Sequence, residues 1–339
     1  MTNTLTTVTA PRPTEKKLWR FPFFLLIAAL TALWAANTHG TPFFPFVTEY
    51  IPFAANYGAW AVLALGMAGI IAAGGLDWAA GMLVVLIWLL RSRPEFSAMF
   101  ATNLGYGALI CGLSVLVALI SGFSAGRLKL SAHKTALVNL LLAGVGACAF
   151  FGEITLYRKF DLKYSLIPLV LLVIMAVFIF RRAGGRQLRA LGENPQMAAL
   201  CGCGRFFPFA MAFGLSALGT GAAAFFGIDT YANPLFFPKL YAWLPVSLTS
   251  VATLDCTTKI LLVWLSITLP LLAVVACGTG LGNRGKISLA GLFFAGLAIP
   301  LGETALSLSS CPHKLICIPV YYVILIILGA AVQKIRRAE

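Results

Sequence analysis

The chain has 339 residues, of which 60% are hydrophobic and 11% are charged, and its formal net charge is +14. A typical soluble domain carries about 25% charged residues, so this composition excludes an ordinary soluble enzyme and favours a protein that resides in the lipid bilayer. The basic excess then indicates membrane orientation and contact with anionic membrane lipid, and no nucleic-acid partner is expected.

Apolar runs long enough to cross a bilayer recur along the chain. A spanning helix needs ~20 mostly apolar residues, and no ten-residue alternation suggests a barrel. The sequence therefore predicts an all-α, polytopic membrane helix bundle of about ten transmembrane helices. They lie near residues 21–37, 57–74, 78–90, 104–125, 135–151, 165–180, 206–226, 259–278, 287–302 and 315–333. The third run is short for a crossing, and the structure of residues 227–258 stays open.

Basic residues predict the orientation of this bundle. With the N-terminus inside and ten crossings, 17 of the 25 Lys and Arg residues fall in inside segments, as the positive-inside rule requires. We therefore expect a basic cytosolic tail at 1–20, a single transmembrane domain at 21–333 and a cytosolic tail at 334–339, in a multi-pass cell (inner) membrane protein. A cleaved signal peptide at the N-terminus is the minor alternative, because many further apolar runs follow the first.

A turn rich in small residues separates the second and third runs. Gly74 and Gly75 suit the left-handed end of one helix, and Asp77 suits the N-cap of the next. We expect a broken-helix turn, with the carboxylate of Asp77 mainly holding the break together. The alternative is that this turn faces a translocation path, in which case Trp78 could stack on a solute ring, although a Trp near a membrane interface is more often an anchor.

A small-residue, basic loop at 183–205 lies between two long apolar runs. Ala183–Leu191 is predicted to form a short helix with Arg186 and Arg189 one turn apart. Gly192 suits its C-cap, and the next helix would begin with an Asn-Pro pair at its N-cap and first position. The small side chains of this loop are Ala190, Ala198 and Ala199, which would let another protein approach closely. The loop is either a docking helix–turn–helix or a basic turn that only anchors the bundle.

The sequence carries no pattern for catalysis or metal binding. Its histidines and isolated acids lack partners at helical spacing, and the P-loop-like stretch at 280–287 has Ile287 where the motif needs a hydroxyl. We therefore expect no catalytic residues, metal or cofactor. Because the apolar runs are nearly free of charge, a conduit for a neutral solute fits better than an ion-coupled carrier. A disulfide between Cys311 and Cys317 stays open.

Three motifs in order resemble those of one transporter family. Residues 73–81 (AGGLDWAAG) resemble the GGIDLSVG signature of permease subunits of ribose-type, simple-sugar ABC importers, the binding-protein-dependent inner membrane component family. Residues 121–130 are similar to the family's span that runs into an RLKL-type turn, and residues 185–202 resemble its inner loop, G-R-x-x-x-A-x-G-x-N-x-x-A-A-x-x-x-G. The C-terminal third diverges, because residues 239–256 lack the family's acidic, glycine-rich stretch.

The resemblance implies a permease subunit without its own ATP site, driven by cytosolic ABC ATPase subunits. It also implies a second permease subunit, identical or different, and a periplasmic or extracellular solute-binding protein. The solute would be small, neutral and polar, with a simple sugar as the expected class. An ion-gradient secondary transporter is the alternative, and a membrane-embedded enzyme or assembly protein is a third reading.

The same resemblance assigns two sets of residues. The candidates for the translocation path are Gly74, Gly75, Asp77, Trp78 and Gly81. The candidates for the ATPase-coupling loop are Gly185, Arg186, Arg189, Ala190, Gly192, Glu193, Asn194, Ala198, Ala199 and Gly202.

Overall fold

The computed structural model describes residues 20–37, 60–91, 93, 95–96, 103–150, 170, 173–175, 177–226, 256–280, 287–308 and 314–338. These residues form helices and connecting turns, and no strand occurs among them. Residues 60–66 are helical, and a π-helical turn covers Val177–Arg181. The α-helices are α1 (Arg20–Asn37), α2 (Ala68–Ala72), α3 (Ala79–Arg91), α4 (Asn103–Gly126), α5 (Ala132–Ala149), α6 (Ala183–Glu193), α7 (Pro195–Leu200), α8 (Phe206–Phe226), α9 (Cys256–Gly278), α10 (Leu289–Leu308) and α11 (Lys314–Ala338).

Three of these helices are long and apolar enough to cross a membrane, namely α4, α5 and α8. Shorter apolar segments lie within α1, α3, α9, α10 and α11. The all-helical fold and the multi-pass membrane character are therefore confirmed, whereas the count of ten spans stays a prediction. Half of the predicted span at 165–180 and most of the uncertain stretch at 227–258 fall outside the described residues, as does Cys311.

The interrupted segment, residues 60–91, lies at the centre of the bundle. All side chains of residues 60–72 and 79–90 are buried. α5 and α8 pack on α3, and α8 also packs on α2 and α4. By contrast, α4 and α5 expose leucines and valines such as Leu141 and Val145, as expected of helices that face lipid tails. The two short helices are thus shielded by longer, lipid-facing ones.

Small residues allow close helix contacts in this core. A Cβ atom on Gly219 of α8 would lie 3.0 Å from the Cα atom of Gly66. A Cβ atom on Gly126, at the end of α4, would lie 2.9 Å from the Cβ atom of Phe206. Such backbone-to-backbone approaches are typical of membrane helices, where packing replaces the hydrophobic effect as the attraction between helices. The first contact fixes the position of residues 60–72 against α8, and the second fixes α4 against α8.

The remaining helices pack on one another and share the same core. α1 lies along α10, where Leu33 contacts Leu301 and Ala305, and α9 packs on both α10 and α11. The hydroxyl of Tyr322 in α11 donates a hydrogen bond to the carboxylate of Glu303 in α10. Glu303 is thus a partly buried acid within an apolar helix. The C-terminal spans are therefore less free of charge than we predicted from the sequence.

Candidate functional site

The break between α2 and α3 is built by a glycine in the left-handed conformation. Gly74 has φ of +78°, which an L side chain rarely adopts. Its N–H donates to the carbonyl of Ile71, and the N–H of Gly75 donates to the carbonyl of Ile70, both at 2.9 Å. This pair of bonds is a Schellman motif. The predicted glycine termination of the first helix is confirmed.

The carboxylate of Asp77 closes the other side of the break. Its Oδ1 accepts a hydrogen bond from the N–H of Ala79 at 3.1 Å, at the start of α3, and its Oδ2 accepts one from Oγ of Ser216 at 2.5 Å. The side chain is only 3% exposed. The predicted capping contact is confirmed, and the same carboxylate also ties the turn to α8. An acid buried inside a membrane domain is costly unless hydrogen bonds satisfy it, and these two bonds do so.

Helix α9 covers the far side of the turn. Nε1 of Trp264 donates to the carbonyl of Trp78 at 3.1 Å. A Cβ atom on Gly81 would lie 2.7 Å from Oγ1 of Thr268, so the absence of a side chain at Gly81 lets α9 cross α3 closely. Oγ1 of Thr268 is buried and has no hydrogen-bond partner among the described residues.

Helix α5 also packs against the turn. A Cβ atom on Gly75 would lie 2.5 Å from the Cβ atom of Ala132, the first residue of that helix. The five path candidates therefore form one continuous structure, in which Gly75, Asp77 and Gly81 are buried while Gly74 and Trp78 are half-buried. α5, α8 and α9 enclose it.

Sequence reasoning missed three residues that complete this site, Ser216, Trp264 and Thr268. Ser216 lies in the small-residue stretch 213–219, where a lone serine among apolar residues gave no sign that it meets Asp77. Trp264 and Thr268 lie in the divergent C-terminal third, where the resemblance offers no guide. A buried acid predicts that some donor must face it, but not which one.

The loop at 183–205 folds into the two short helices α6 and α7. Oδ1 of Asn194 accepts a hydrogen bond from the N–H of Met197 at 3.1 Å, and Pro195 is the first residue of α7. These features of the prediction are confirmed. The predicted C-cap at Gly192 is wrong, because α6 continues to Glu193 and ends with Asn194 as its C-cap. Gly192 instead lies in the buried face of α6.

Gly202 ends α7 in the same way that Gly74 ends α2. Its φ is +75°, its N–H donates to the carbonyl of Ala199, and the N–H of Cys203 donates to the carbonyl of Ala198, both at 3.0 Å. This second Schellman motif stops α7 after six residues. The loop therefore has a defined shape set by Asn194 and Gly202.

The coupling-loop candidates divide into an inner and an outer face. Gly185, Gly192 and Ala198 are buried, whereas Arg186, Glu193, Asn194, Ala199 and Gly202 are exposed and Arg189 and Ala190 are intermediate. The expectation that Ala198 thins the outer surface is wrong, because its side chain is only 5% exposed. Sequence reasoning also missed the apolar outer residues Met197 and Leu200, which are 56% and 82% exposed.

Arg189 has a contact within the protein. Its guanidinium carbon lies 5.2 Å from the centre of the Phe180 ring, in a cation–π arrangement. Its Nε atom is buried and has no hydrogen-bond partner among the described residues. Arg189 therefore stabilises α6 against the π-helical turn, and Arg186 is the basic residue that α6 exposes.

The inner face of the loop packs against α2, the helix that ends at the break. α6 packs on the π-helical turn, on α8 and on α2. A Cβ atom on Gly185 would lie 2.2 Å from the carbonyl oxygen of Phe178, so α6 sits against the backbone of that turn. The ring of Phe178 in turn lies 3.7 Å from the Cβ position of Gly69 in α2. Gly69 directly precedes Ile70, whose carbonyl accepts the Schellman hydrogen bond from Gly75, so the loop and the turn are joined by direct packing.

Part of the chain is similar to a known transport protein. It is 27% identical over 156 residues to the fructose import permease protein FrcC of Rhizobium meliloti. The matched region covers 39% of this chain and 42% of that protein, so the match spans less than half of the relative's length. No family model matches the chain. No solved structure matches it. Within the described residues no group of three His, Cys, Asp or Glu side chains could hold a metal ion.

This similarity has a limited meaning for the class of protein. The chain is a multi-pass membrane protein that resembles a sugar transport permease, and permeases of this kind are transporters rather than enzymes.

Proposed function

We propose that the chain is the membrane-spanning permease subunit of an ATP-binding-cassette importer in the cell inner membrane. It moves a small neutral polar solute, of the simple-sugar class, and separate cytosolic ATPase subunits supply the energy. A second permease subunit, identical or different, completes the path, and a periplasmic or extracellular binding protein delivers the solute. The partial similarity to a fructose import permease supports the solute class.

The position of the α6–α7 loop carries this proposal. Its outer face presents Met197 and Leu200 together with exposed Arg186, an apolar and basic combination that suits docking in a groove of another protein. Its inner face packs on α2, which ends at the broken-helix turn. A rigid-body movement of the loop would therefore displace the turn, and this is the link that an external ATPase needs.

The broken-helix turn is the proposed border of the solute path. Interrupted helices line solute sites in membrane transporters because they expose backbone polar groups within the bilayer. Here the turn is closed by α9 through the Trp264–Trp78 hydrogen bond and the contact of Thr268 with Gly81. We propose that α9 moves away from the turn when the path opens, which would uncover Trp78 and Gly81, while Gly74, Gly75 and Asp77 stay in the turn beside them, with Gly75 packed on α5 and Asp77 bonded to α8.

Leu200→Asp tests the coupling claim. The complete transporter is reconstituted in proteoliposomes, and ATP hydrolysis and solute uptake are measured together. A carboxylate at this 82% exposed position should abolish ATP-driven uptake and release the ATPase from the membrane complex, whereas Leu200→Met should retain both. Arg189 and Ala198 are poorer targets, because both pack within the protein. Normal ATP-driven uptake by Leu200→Asp, with the ATPase still bound, would exclude α7 as the docking helix.

Two acids within the bundle, the buried Asp77 and the partly buried Glu303, favour a second candidate, an ion-gradient transporter. Asp77 and Glu303 lie within the helical bundle, and carboxylates in such positions bind coupling ions in secondary transporters. Uptake by the purified chain alone, in vesicles that hold an ion gradient and no ATP, would support this candidate and contradict the importer. Uptake that requires both ATP and an ATPase subunit would eliminate it.

A further inference from the structure

Four basic residues meet where α4 turns into α5. Arg127 and Lys129 lie in the connecting turn, Lys134 lies in the first turn of α5, and all three side chains are exposed. The guanidinium of Arg205, which precedes α8, donates a hydrogen bond to the carbonyl of Lys129 at 3.4 Å. We call these four residues the basic turn. The bond from Arg205 brings a fourth positive charge to a connection only five residues long.

The basic turn has no acidic counterpart in its own part of the chain. No Asp or Glu occurs between Glu95 and Glu153, and none occurs from 201 to 226. The charge is also placed unfavourably, because Lys134 lies at the N-terminus of α5, where the helix dipole is already positive. Ser131 caps this terminus by accepting a hydrogen bond from the N–H of Lys134. An external anion would therefore relieve the repulsion among these groups.

Exposed apolar side chains adjoin the basic turn on its membrane side. Phe123 lies one helical turn before Arg127, and Leu128 follows it. Phe206 and Phe207 follow Arg205 directly, and Phe206 also packs against Gly126. All four apolar side chains are about half exposed. A ligand that fits this surface has an anionic head for the basic residues and hydrocarbon for the aromatic ones.

We propose that the basic turn binds the phosphate headgroup of an anionic phospholipid, whose acyl chains lie along Phe123 and Phe207. Basic pockets between transmembrane helices bind such headgroups in other membrane proteins. The apolar border favours a lipid over an acidic protein surface, because Phe123, Phe206 and Phe207 lie at the ends of α4 and α8, two helices long and apolar enough to cross a membrane. The proposal is independent of the solute and of the ATPase.

The experiment measures phospholipid binding to the full chain by native mass spectrometry of detergent-solubilised protein. Phosphatidylglycerol and phosphatidylcholine with identical acyl chains are titrated separately. The test variant is Arg127→Gln, Lys129→Gln, Lys134→Gln, which leaves Arg205 to support the turn. The matched control is Arg181→Gln, Arg182→Gln, Arg186→Gln, which removes the same charge from three exposed residues at the π-helical turn and the start of α6.

The wild-type chain should retain phosphatidylglycerol in preference to phosphatidylcholine. The test variant should lose roughly 100-fold in affinity for phosphatidylglycerol, since each basic residue near an anionic surface contributes about fivefold. The control should lose far less, and excess inorganic phosphate should not displace the lipid. Equal losses in both variants would show a diffuse charge effect and overturn the site. Equal binding of the two lipids, or full displacement by inorganic phosphate, would overturn the lipid itself.

Discussion

At the residue scale, the carboxylate of Asp77 makes two contacts, one that the sequence predicts and one that it does not. Its two carboxylate oxygens bind different partners, the N–H of Ala79 within the turn and the hydroxyl of Ser216 on α8. The first contact gives a free N–H group at the start of α3 a hydrogen-bond acceptor. The second attaches the turn to the long helix α8. The side chain thus fixes both the shape and the position of the break.

Asp77→Ala should destabilise the chain more than Asp77→Asn. The alanine variant removes the cap, which costs about 1 kcal/mol, and leaves the buried hydroxyl of Ser216 without its acceptor, which costs a further ~1–3 kcal/mol. Asparagine keeps one acceptor oxygen for the cap. Thermal unfolding of the detergent-solubilised protein measures the difference.

Ser216→Ala supplies the control for Asp77. In the double variant Asp77→Ala, Ser216→Ala, the loss should be smaller than the sum of the two single losses, because contacting residues are not additive. Strict additivity would show that the contact between Asp77 and Ser216 contributes nothing to stability.

At the scale of the elements, the sequence predicts where some of the short helices begin or end, but not which of their faces is buried. Although Gly192 did not mark the C-cap of α6, the glycine signal at Gly74 located the C-terminal end of α2 and the Asn-Pro pair located the start of α7, because these residues have local backbone preferences. They did not show which side of α7 faces outward. Ala198 turned inward and Leu200 outward, because this choice depends on where α2, α8 and the π-helical turn lie, and those contacts are long-range.

Gly81→Ala should weaken the packing of α3 against α9. The new Cβ atom would lie 2.7 Å from Oγ1 of Thr268, so either the Thr268 side chain must rotate or the two helices must move apart. We expect a lower unfolding temperature, with partial recovery in the double variant Gly81→Ala, Thr268→Ala, measured by the same thermal assay.

Gly107→Ala in α4 is the matched control for this substitution. No atom lies within 4 Å of its Cβ position, and alanine favours a helix interior over glycine by ~1 kcal/mol. This variant should be as stable as the wild type or more so. If Gly81→Ala behaves like Gly107→Ala, the close crossing of α3 and α9 is not a constraint.

At the scale of the whole molecule, contacts between loops bear on the predicted orientation. The bond from Arg205 to Lys129 and the contact of Gly75 with Ala132 place the α2–α3 turn, the α4–α5 turn and the α7–α8 connection at one end of the bundle. The charge count assigns these three segments to one side of the membrane. Which side is cytosolic depends on how the chain inserts, and it stays a prediction.

Labelling of Cys201 tests the orientation. This residue is exposed at the end of α7. In a variant that keeps Cys201 and has serine in place of the other seven of its 8 cysteines, a membrane-impermeant maleimide should label inside-out vesicles and leave right-side-out vesicles unlabelled. A variant that keeps only the buried Cys277 serves as the negative control. Labelling from the opposite side would reverse the predicted topology.

The central position of residues 60–91 has a consequence for the order of synthesis. The helices that enclose this segment, α5, α8 and α9, all follow it in the chain, so the ribosome makes the core before it makes the cover. α3 has only 13 residues, which is short for a stable crossing in lipid. Residues 60–91 can therefore complete their packing only after about two hundred further residues have been translated. The innermost part of the bundle thus reaches its final packing late in biogenesis, after α9 has been synthesised and inserted.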